Sequence, residues 1–279
     1  MTIAVTGASG FVGRAVLTEL SRRGIHAVVT SRSGTIKSPI GEHHVVPMDI
    51  HIVEDAYNHL GKPDTVIHLA WQGLPNYSSL HHFETELPAQ YRFLKSLIEA
   101  GTKKVIVTGT CFEYGLQSGM LSEDLPTSPC TPYGFAKDAL RQKLEFLKSE
   151  RTFSLVWARL FYLYGEGQAE SSLYAQLRSA VYQEATVFNM SGGEQLRDYL
   201  PVEKAAEYLV ALALSSQDVG VVNVCSGQPI SVRRLVEEWL RHNNWQIRLN
   251  LGYYPYPAYE PLAFWGDRRK LDSVLKGVS

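Results

Sequence analysis

The feature that most constrains this chain is its beginning. Ile3-Ala4-Val5 forms a short buried strand pattern, and Thr6-Gly7-Ala8-Ser9-Gly10-Phe11-Val12-Gly13 follows at once. Phe11 to Arg23 then carries Val12, Ala15, Val16 and Leu20 at helical spacing, and Gly24 ends the pattern. A strand, a glycine turn and a helix in this order make a cradle for phosphate. Glycine at 7 permits a tight turn, at 10 a close approach of backbone to a pyrophosphate, and at 13 close packing of helix on strand. The first helical N–H groups face the anion along a favourable dipole. Gly7, Ser9, Gly10, Phe11, Val12 and Gly13 are therefore the first cofactor-binding candidates.

The alternation continues. Strands are expected at 27–29, 44–46, 65–69, 104–108 and 154–160, and helices at 83–100 and 131–149. This pattern predicts an α/β fold: a Rossmann-like, doubly wound parallel sheet whose ligands sit at the carboxyl ends of the strands. Helices are expected again at 171–184, 202–215 and 231–242, with a strand at 219–224. A loop is expected at 252–261, where four tyrosines and three prolines crowd together. With 279 residues the chain has room for one large or two small domains, at ~150 residues each. The expected division is a dinucleotide-binding domain over 1–165, to which parts of 202–225 return. A smaller, discontinuous substrate lobe occupies 166–279.

Two positions bear on which dinucleotide binds. A carboxylate at the end of the second strand would bind a ribose 2'-hydroxyl and repel a 2'-phosphate. Thr30-Ser31-Arg32 stands there instead, and Arg32, with Arg14 nearby, suits a 2'-phosphate. NADP(H) is favoured and NAD(H) stays open. Asp49, after the third strand, can meet an adenine amino group or simply end a turn.

Thr131-Pro132-Tyr133-Gly134-Phe135-Ala136-Lys137 has the form of a helix start, with Thr131 as cap and Pro132 in the first turn. Tyr133 and Lys137 then share one helical face. An ammonium beside a phenol is expected to lower the tyrosine pKa, and such a tyrosine can exchange a proton with a carbinol oxygen.

With these motifs placed, the chain resembles the extended short-chain dehydrogenase/reductase family of nucleotide-sugar epimerases, dehydratases and reductases. The resemblance covers most of the chain. His68-Leu69-Ala70 is similar to the family's fourth-strand signature. Thr108-Gly109-Thr110-Cys111-Phe112-Glu113-Tyr114-Gly115 is similar to its fifth-strand segment, and Arg159-Leu160-Phe161-Tyr162-Leu163-Tyr164-Gly165 to its sixth. Gly193 to Tyr199 resembles the Arg-Asp segment of the smaller lobe. The resemblance implies Thr110, Tyr133 and Lys137 as catalytic residues. It adds Ile50, Leu69, Ala70, Thr108 and Leu160 to the cofactor contacts, beside Asp49, Tyr133 and Lys137. It implies a substrate site at Thr110, Cys111, Tyr133 and Arg197, the arginine meeting a nucleotide diphosphate. It also implies a homodimer through the helices at 83–100 and 131–149.

Departures narrow the activity. Cys111 and Phe112 stand where dehydratases of the family carry Asp-Glu, which speaks against dehydration. Tyr162 replaces a usual asparagine, and Gln90 stands near another. The fifth-strand segment looks most like reductases that convert dTDP-4-keto-6-deoxyhexoses to dTDP-6-deoxyhexoses with NADPH. A 4-epimerase with tightly held NAD is the first alternative. A non-catalytic dinucleotide sensor is the second, and the presence of Thr110, Tyr133 and Lys137 speaks against it.

Other classes are disfavoured by composition. The net charge is -1, so neither nucleic acid nor an anionic membrane is an expected partner. No apolar run reaches the ~20 residues of a membrane span. Three cysteines cannot build a disulfide framework, and the start of the chain lacks a leader pattern, so a cytoplasmic protein is expected. The pairs His43-His44 and His81-His82 lack the spacing of a zinc helix, and no metal site is expected. Glu113 is equally placed to touch substrate or to be solvated. The tyrosines of 253–259 are expected to pack rather than to bind.

Overall fold

The computed structural model describes residues 2–36, 41, 43–257 and 259–277. The first part of the chain forms β1 (Ile3–Thr6), α1 (Phe11–Arg22), β2 (Ala27–Ser31), β3 (His44–Pro47), α2 (Ala56–His59) and β4 (Thr65–His68). A π-helical turn (His82–Glu86) runs into α3 (Leu87–Ala100), followed by β5 (Lys104–Thr110) and a 3₁₀ turn (Cys111–Tyr114). Then come β6 (Gly119–Leu121), α4 (Pro132–Leu147), β7 (Ser154–Leu160), β8 (Tyr162–Tyr164), α5 (Leu173–Tyr182), β9 (Val187–Asn189) and β10 (Leu196–Pro201). The chain closes with α6 (Val202–Leu214), β11 (Gly220–Val224), β12 (Pro229–Ser231), α7 (Val232–His242), β13 (Arg248–Asn250), β14 (Phe264–Gly266) and α8 (Arg269–Lys276).

Seven strands form one parallel sheet in the order β3-β2-β1-β4-β5-β7-β11. The strand order reverses between β1 and β4, whose register pairs Val5 with Ile67 and Thr6 with His68. That is the Rossmann-like arrangement, and the crevice at its reversal point is where such sheets hold ligands. The central strands are buried on both faces, which is why they are short continuous runs of Val, Ile and Ala. One face is covered by α1, α6 and α8 through Val16, Leu20, Leu209 and Leu271. The other is covered by α3 and α4 through Phe93, Leu97, Leu140 and Leu144.

The smaller lobe has its own core. Leu177 of α5, Phe188 of β9 and Val236 and Trp239 of α7 pack together beside the three-stranded sheet β12-β10-β8. A fourth cluster, Tyr114, Leu121, Phe161 and Phe264, joins this lobe to the large sheet. Strand β11 pairs with β7 in the large sheet although it follows the lobe's β10 in sequence.

Element bounds differ modestly from those expected. Strand β4 stops at His68, and the Leu69 N–H makes its last ladder bond, to the Thr6 carbonyl of β1 at 3.2 Å. The helix expected from Phe83 begins as the π turn. The span 252–261 has turns and bends but no regular element among its described residues, and Ala258 lies outside them.

Candidate active site

The glycine turn sits at the carboxyl end of β1. Gly7 has φ +69°, and a Cβ there would lie 2.6 Å from the Ala70 nitrogen, so the turn presses against the end of β4. A Cβ on Gly13 would lie 2.2 Å from the Gly7 carbonyl oxygen, so only glycine lets α1 pack onto the turn. Helix α1 has Gly10 at its cap and no side-chain hydrogen bond there. Its first N–H groups thus have no capping side chain to compete with an anionic ligand.

From this turn two adjoining pockets follow the strand ends as the halves of a groove, and Leu69 and Trp71 line both. The first half brings together Gly7, Ser9, Gly10, Arg32, Asp49, Ile50 and Ala70. The second brings together Phe11, Val12, Thr108, Thr110, Cys111, Tyr133, Lys137 and Leu160. Gly13 and Arg197 line neither half. Gly13 lies behind the turn as packing. The Arg197 side chain is buried under Tyr162, and its guanidinium is held by Glu260 at 2.7 Å and stacked 4.6 Å from the Phe264 ring centre. Arg14 donates to the Ser9 and Gly167 carbonyls, both at 2.8 Å, and ties the glycine turn to the loop after β8.

Helix α4 sets the catalytic candidates. The Thr131 hydroxyl accepts the Gly134 N–H at 3.1 Å, Pro132 opens the helix, and Tyr133 and Lys137 point into the groove. Lys137 Nζ donates to the Thr108 carbonyl at 2.8 Å and lies 3.9 Å from the Trp71 ring centre. One electrostatic expectation is overturned. The Tyr133 hydroxyl is pushed up rather than down, first by burial and then by Tyr77, Glu113 and Cys111. Burial lowers Lys137 to about 7. The reason is that both groups leave water, and Lys137 Nζ is 5.9 Å from the tyrosine ring centre with its charge directed at a carbonyl and an indole face.

Glu113, expected to touch substrate or solvent, does neither. It is buried, pairs with Arg159 at 2.7 Å and accepts the Trp157 indole N–H and the Thr110 backbone N–H, the last at 2.8 Å. It therefore fixes the backbone from which Thr110 projects. Burial pushes the Cys111 thiol up, which suits a pocket wall and not a nucleophile.

A second buried network lies under the first half. His68 bonds Thr6 at 2.8 Å and Gln90 at 2.5 Å, Gln90 donates to Glu86, Glu86 meets His51 at 2.6 Å, and His51 meets Asp49 at 2.9 Å. This chain fixes the orientation of Asp49 at the groove.

Sequence reasoning missed Trp71, Tyr77 and Gln168 in the groove and Glu260 behind it. Gln168 lines the second half, and its Oε1 is buried without a hydrogen-bond partner among the described residues. The run Trp71-Gln72-Gly73-Leu74-Pro75, directly after the fourth-strand signature, was the available signal. No group of three or more potential metal ligands gathers among the described residues, and no described helix is long and apolar enough to cross a membrane.

Residues 3–225 match the model of the NAD dependent epimerase/dehydratase family. The chain belongs to that family. A dTDP-6-deoxy-L-talose 4-dehydrogenase (NAD(+)) of Aggregatibacter actinomycetemcomitans is 30% identical over 272 residues, 95% of this chain and 99% of the relative. An uncharacterized UDP-glucose epimerase, YtcB, of Bacillus subtilis (strain 168) is 24% identical over 294 residues, 99% of this chain and 92% of the relative. Among solved structures, MoeE5 in complex with UDP-glucuronic acid and NAD superposes with a TM-score of 0.85 at 27% identity, covering 99% of this chain and 93% of that one. Like others of the NAD dependent epimerase/dehydratase family, the chain is an oxidoreductase-type enzyme that modifies nucleotide sugars.

Proposed function

We propose that this enzyme reduces the 4-keto group of a nucleotide sugar, a dTDP-4-keto-6-deoxyhexose, to the dTDP-6-deoxyhexose, with NADPH as the favoured cofactor. The observation that carries the reading is one groove in which the glycine cradle continues into Thr110, Tyr133 and Lys137. The relative's name supports chemistry at position 4 of a dTDP-6-deoxyhexose. The cradle also fits the cofactor, since its glycines leave no room for side chains and no side chain caps α1.

When bound, the dinucleotide supplies the hydride. The residues of the chain then handle position and proton. Burial keeps the Tyr133 hydroxyl protonated, so it is ready to protonate the developing alkoxide. Thr110 hydrogen-bonds the same oxygen and orients it. Lys137 balances charge beside the tyrosine and holds the ribose hydroxyls. Arg197 meets the diphosphate once Glu260 releases it. The preference for NADPH rests on Arg32, which is exposed at the groove near Thr30 and Gln72. The dehydrogenase's name carries NAD and MoeE5 was solved in complex with NAD, so NADH is the direct competitor.

In this reading residues 1–165, with α6 and β11, hold the cofactor, and the remainder of 166–279 holds the sugar nucleotide. The protein acts in the cytoplasm as a homodimer through α3 and α4, where Phe135 and Phe146 are exposed. The test mixes dTDP-4-keto-6-deoxyglucose with NADPH or NADH and follows the loss of reduced-nicotinamide absorbance. Oxidation in proportion to sugar, faster with NADPH, is the expected result. No oxidation together with interconversion of UDP-hexoses on a tightly held NAD would replace reduction by 4-epimerisation, the reading the YtcB match favours.

A further inference from the structure

Trp71 stands where the two halves of the groove meet, and its indole N–H is committed. Nε1 lies 3.1 Å from His82 Nδ1, and His82 Nε2 lies 2.8 Å from the Asn76 carbonyl oxygen. An indole N–H only donates and a carbonyl only accepts. The two contacts therefore admit one form of His82: neutral, with its proton on Nε2. His82 is fully buried on the π turn before α3. Its hydrogen bond to Trp71 closes the intervening loop, which carries Leu74 and Tyr77 into the substrate half of the groove.

The clip touches the catalytic candidates on several sides. Trp71 presents its face to Lys137 Nζ at 3.9 Å and meets the Tyr133 ring edge-on at 6.0 Å. The His82 ring is 5.2 Å from the Tyr133 ring, and the Tyr77 carbonyl accepts the Tyr133 N–H at 3.1 Å. We propose that Trp71 and His82 are positioning residues. The neutral His82 holds the indole plane, and the indole plane holds the Lys137 ammonium and the Tyr133 ring in their working geometry. This rests on the roles given above to Tyr133 and Lys137.

The chemistry makes the device sensitive to acid. A proton on Nδ1 would set N–H against N–H and release the indole. The charged groups facing His82 are His81 and Glu86 of its own turn and Lys137 of α4. Burial opposes protonation most, joined by His81 and Lys137; the Asn76 carbonyl and Glu86 favour it and are outweighed, Glu86 being already engaged by His51, Gln90 and the Gln72 N–H.

Proton–nitrogen NMR of histidine-labelled protein tests the tautomer with no substrate present, with His82→Gln identifying the signal. A neutral Nε2–H ring that resists protonation through the ordinary histidine range is expected. A Nδ1–H ring, or an ordinary titration, overturns the proposal. Kinetics test the consequence. His82→Leu and Trp71→Phe should lower kcat on the order of tenfold to a hundredfold, with a much smaller change in KM. His82→Gln, whose amide accepts from Trp71 and donates to Asn76 without titrating, should recover most of that loss and remove a fall in kcat that wild type shows only below the ordinary histidine range. Unchanged kcat and pH profile in His82→Leu would sink the proposal. If wild-type protein does not turn over the ketosugar, the reaction assignment fails, and NADH affinity decides the clip by itself. In that case weaker binding in His82→Leu and Trp71→Phe, restored in His82→Gln, supports it, and equal binding in all three refutes it.

Discussion

The two halves of the groove are built in different ways. The cofactor half is made of backbone: a glycine turn, a helix end and the tips of neighbouring parallel strands. Its parts lie close in sequence or are brought together by sheet register. The substrate half is made of side chains from distant segments. Behind them, outside the lining itself, Arg197 meets Glu260 across 63 positions and Arg159 meets Glu113 across 46. Backbone geometry tolerates few residue types and so leaves a pattern. Ion pairs between remote residues leave none. The half built of backbone is therefore legible, whereas of the other half only the motif residues Thr110, Tyr133 and Lys137 are, and the ion pairs behind it are not.

The largest test of this contrast falls where the halves meet. Tyr133→Phe removes one oxygen and should lower kcat by about a hundredfold or more while NADPH binding stays near native. Near-native turnover would remove Tyr133 from the chemistry. Next comes Glu113→Gln, which leaves Arg159 buried without its partner charge. A loss of about 3 kcal/mol in unfolding free energy is expected from denaturant melts. A stability change below about 1 kcal/mol would show that the pair is dispensable.

Arg197→Ala should weaken dTDP binding by about tenfold or more, consistent with loss of a charged hydrogen-bond donor. Calorimetry showing equal affinity would leave Arg197 as a structural partner of Glu260 only. Arg32→Ala should shrink any NADPH-over-NADH preference by about tenfold, the size of a charge-assisted contact at an exposed site. An unchanged ratio would move the specificity elsewhere.

The smallest effect concerns His51. Its pKa is raised in the folded protein: burial lowers it, and the bonds to Asp49 and Glu86 with their charges outweigh that. A raised folded-state pKa means that its stabilisation is complete below the unfolded value of ~6.5 and is lost as pH rises through the folded value. Wild type should therefore exceed His51→Gln in Tm most at acid pH, with the gap closing in alkali. A gap that widens with pH would reverse the sign of the argument.

How far the fold and site were legible follows the same physics. The parallel sheet was legible because strands buried on both faces must be apolar runs, and amphipathic helices must alternate with them. Gly7, Gly10, Asp49, Leu69 and Thr110 meet in one groove because strand ends of a doubly wound sheet converge there. The short strands of the smaller lobe, such as β9 and β13, were not legible, because three residues carry too little periodicity. The direction of the Tyr133 shift was misread because residue spacing conveys proximity but not burial, and burial is the larger effect here. Glu113 was undecided for a related reason: it sits in the turn after β5, and its partner Arg159 belongs to β7.

By itself, the sequence determined the nucleotide cradle, the alternation that builds the sheet, and the placing of a tyrosine and a lysine on one helical face. These depend on local geometry, on glycine and on period. Only the tertiary structure decided that Glu113 supports Thr110, that Glu260 covers Arg197, and that Trp71 and His82 brace the catalytic pair. Those facts depend on which charges leave water together, and desolvation is a property of the packed chain rather than of any segment in it.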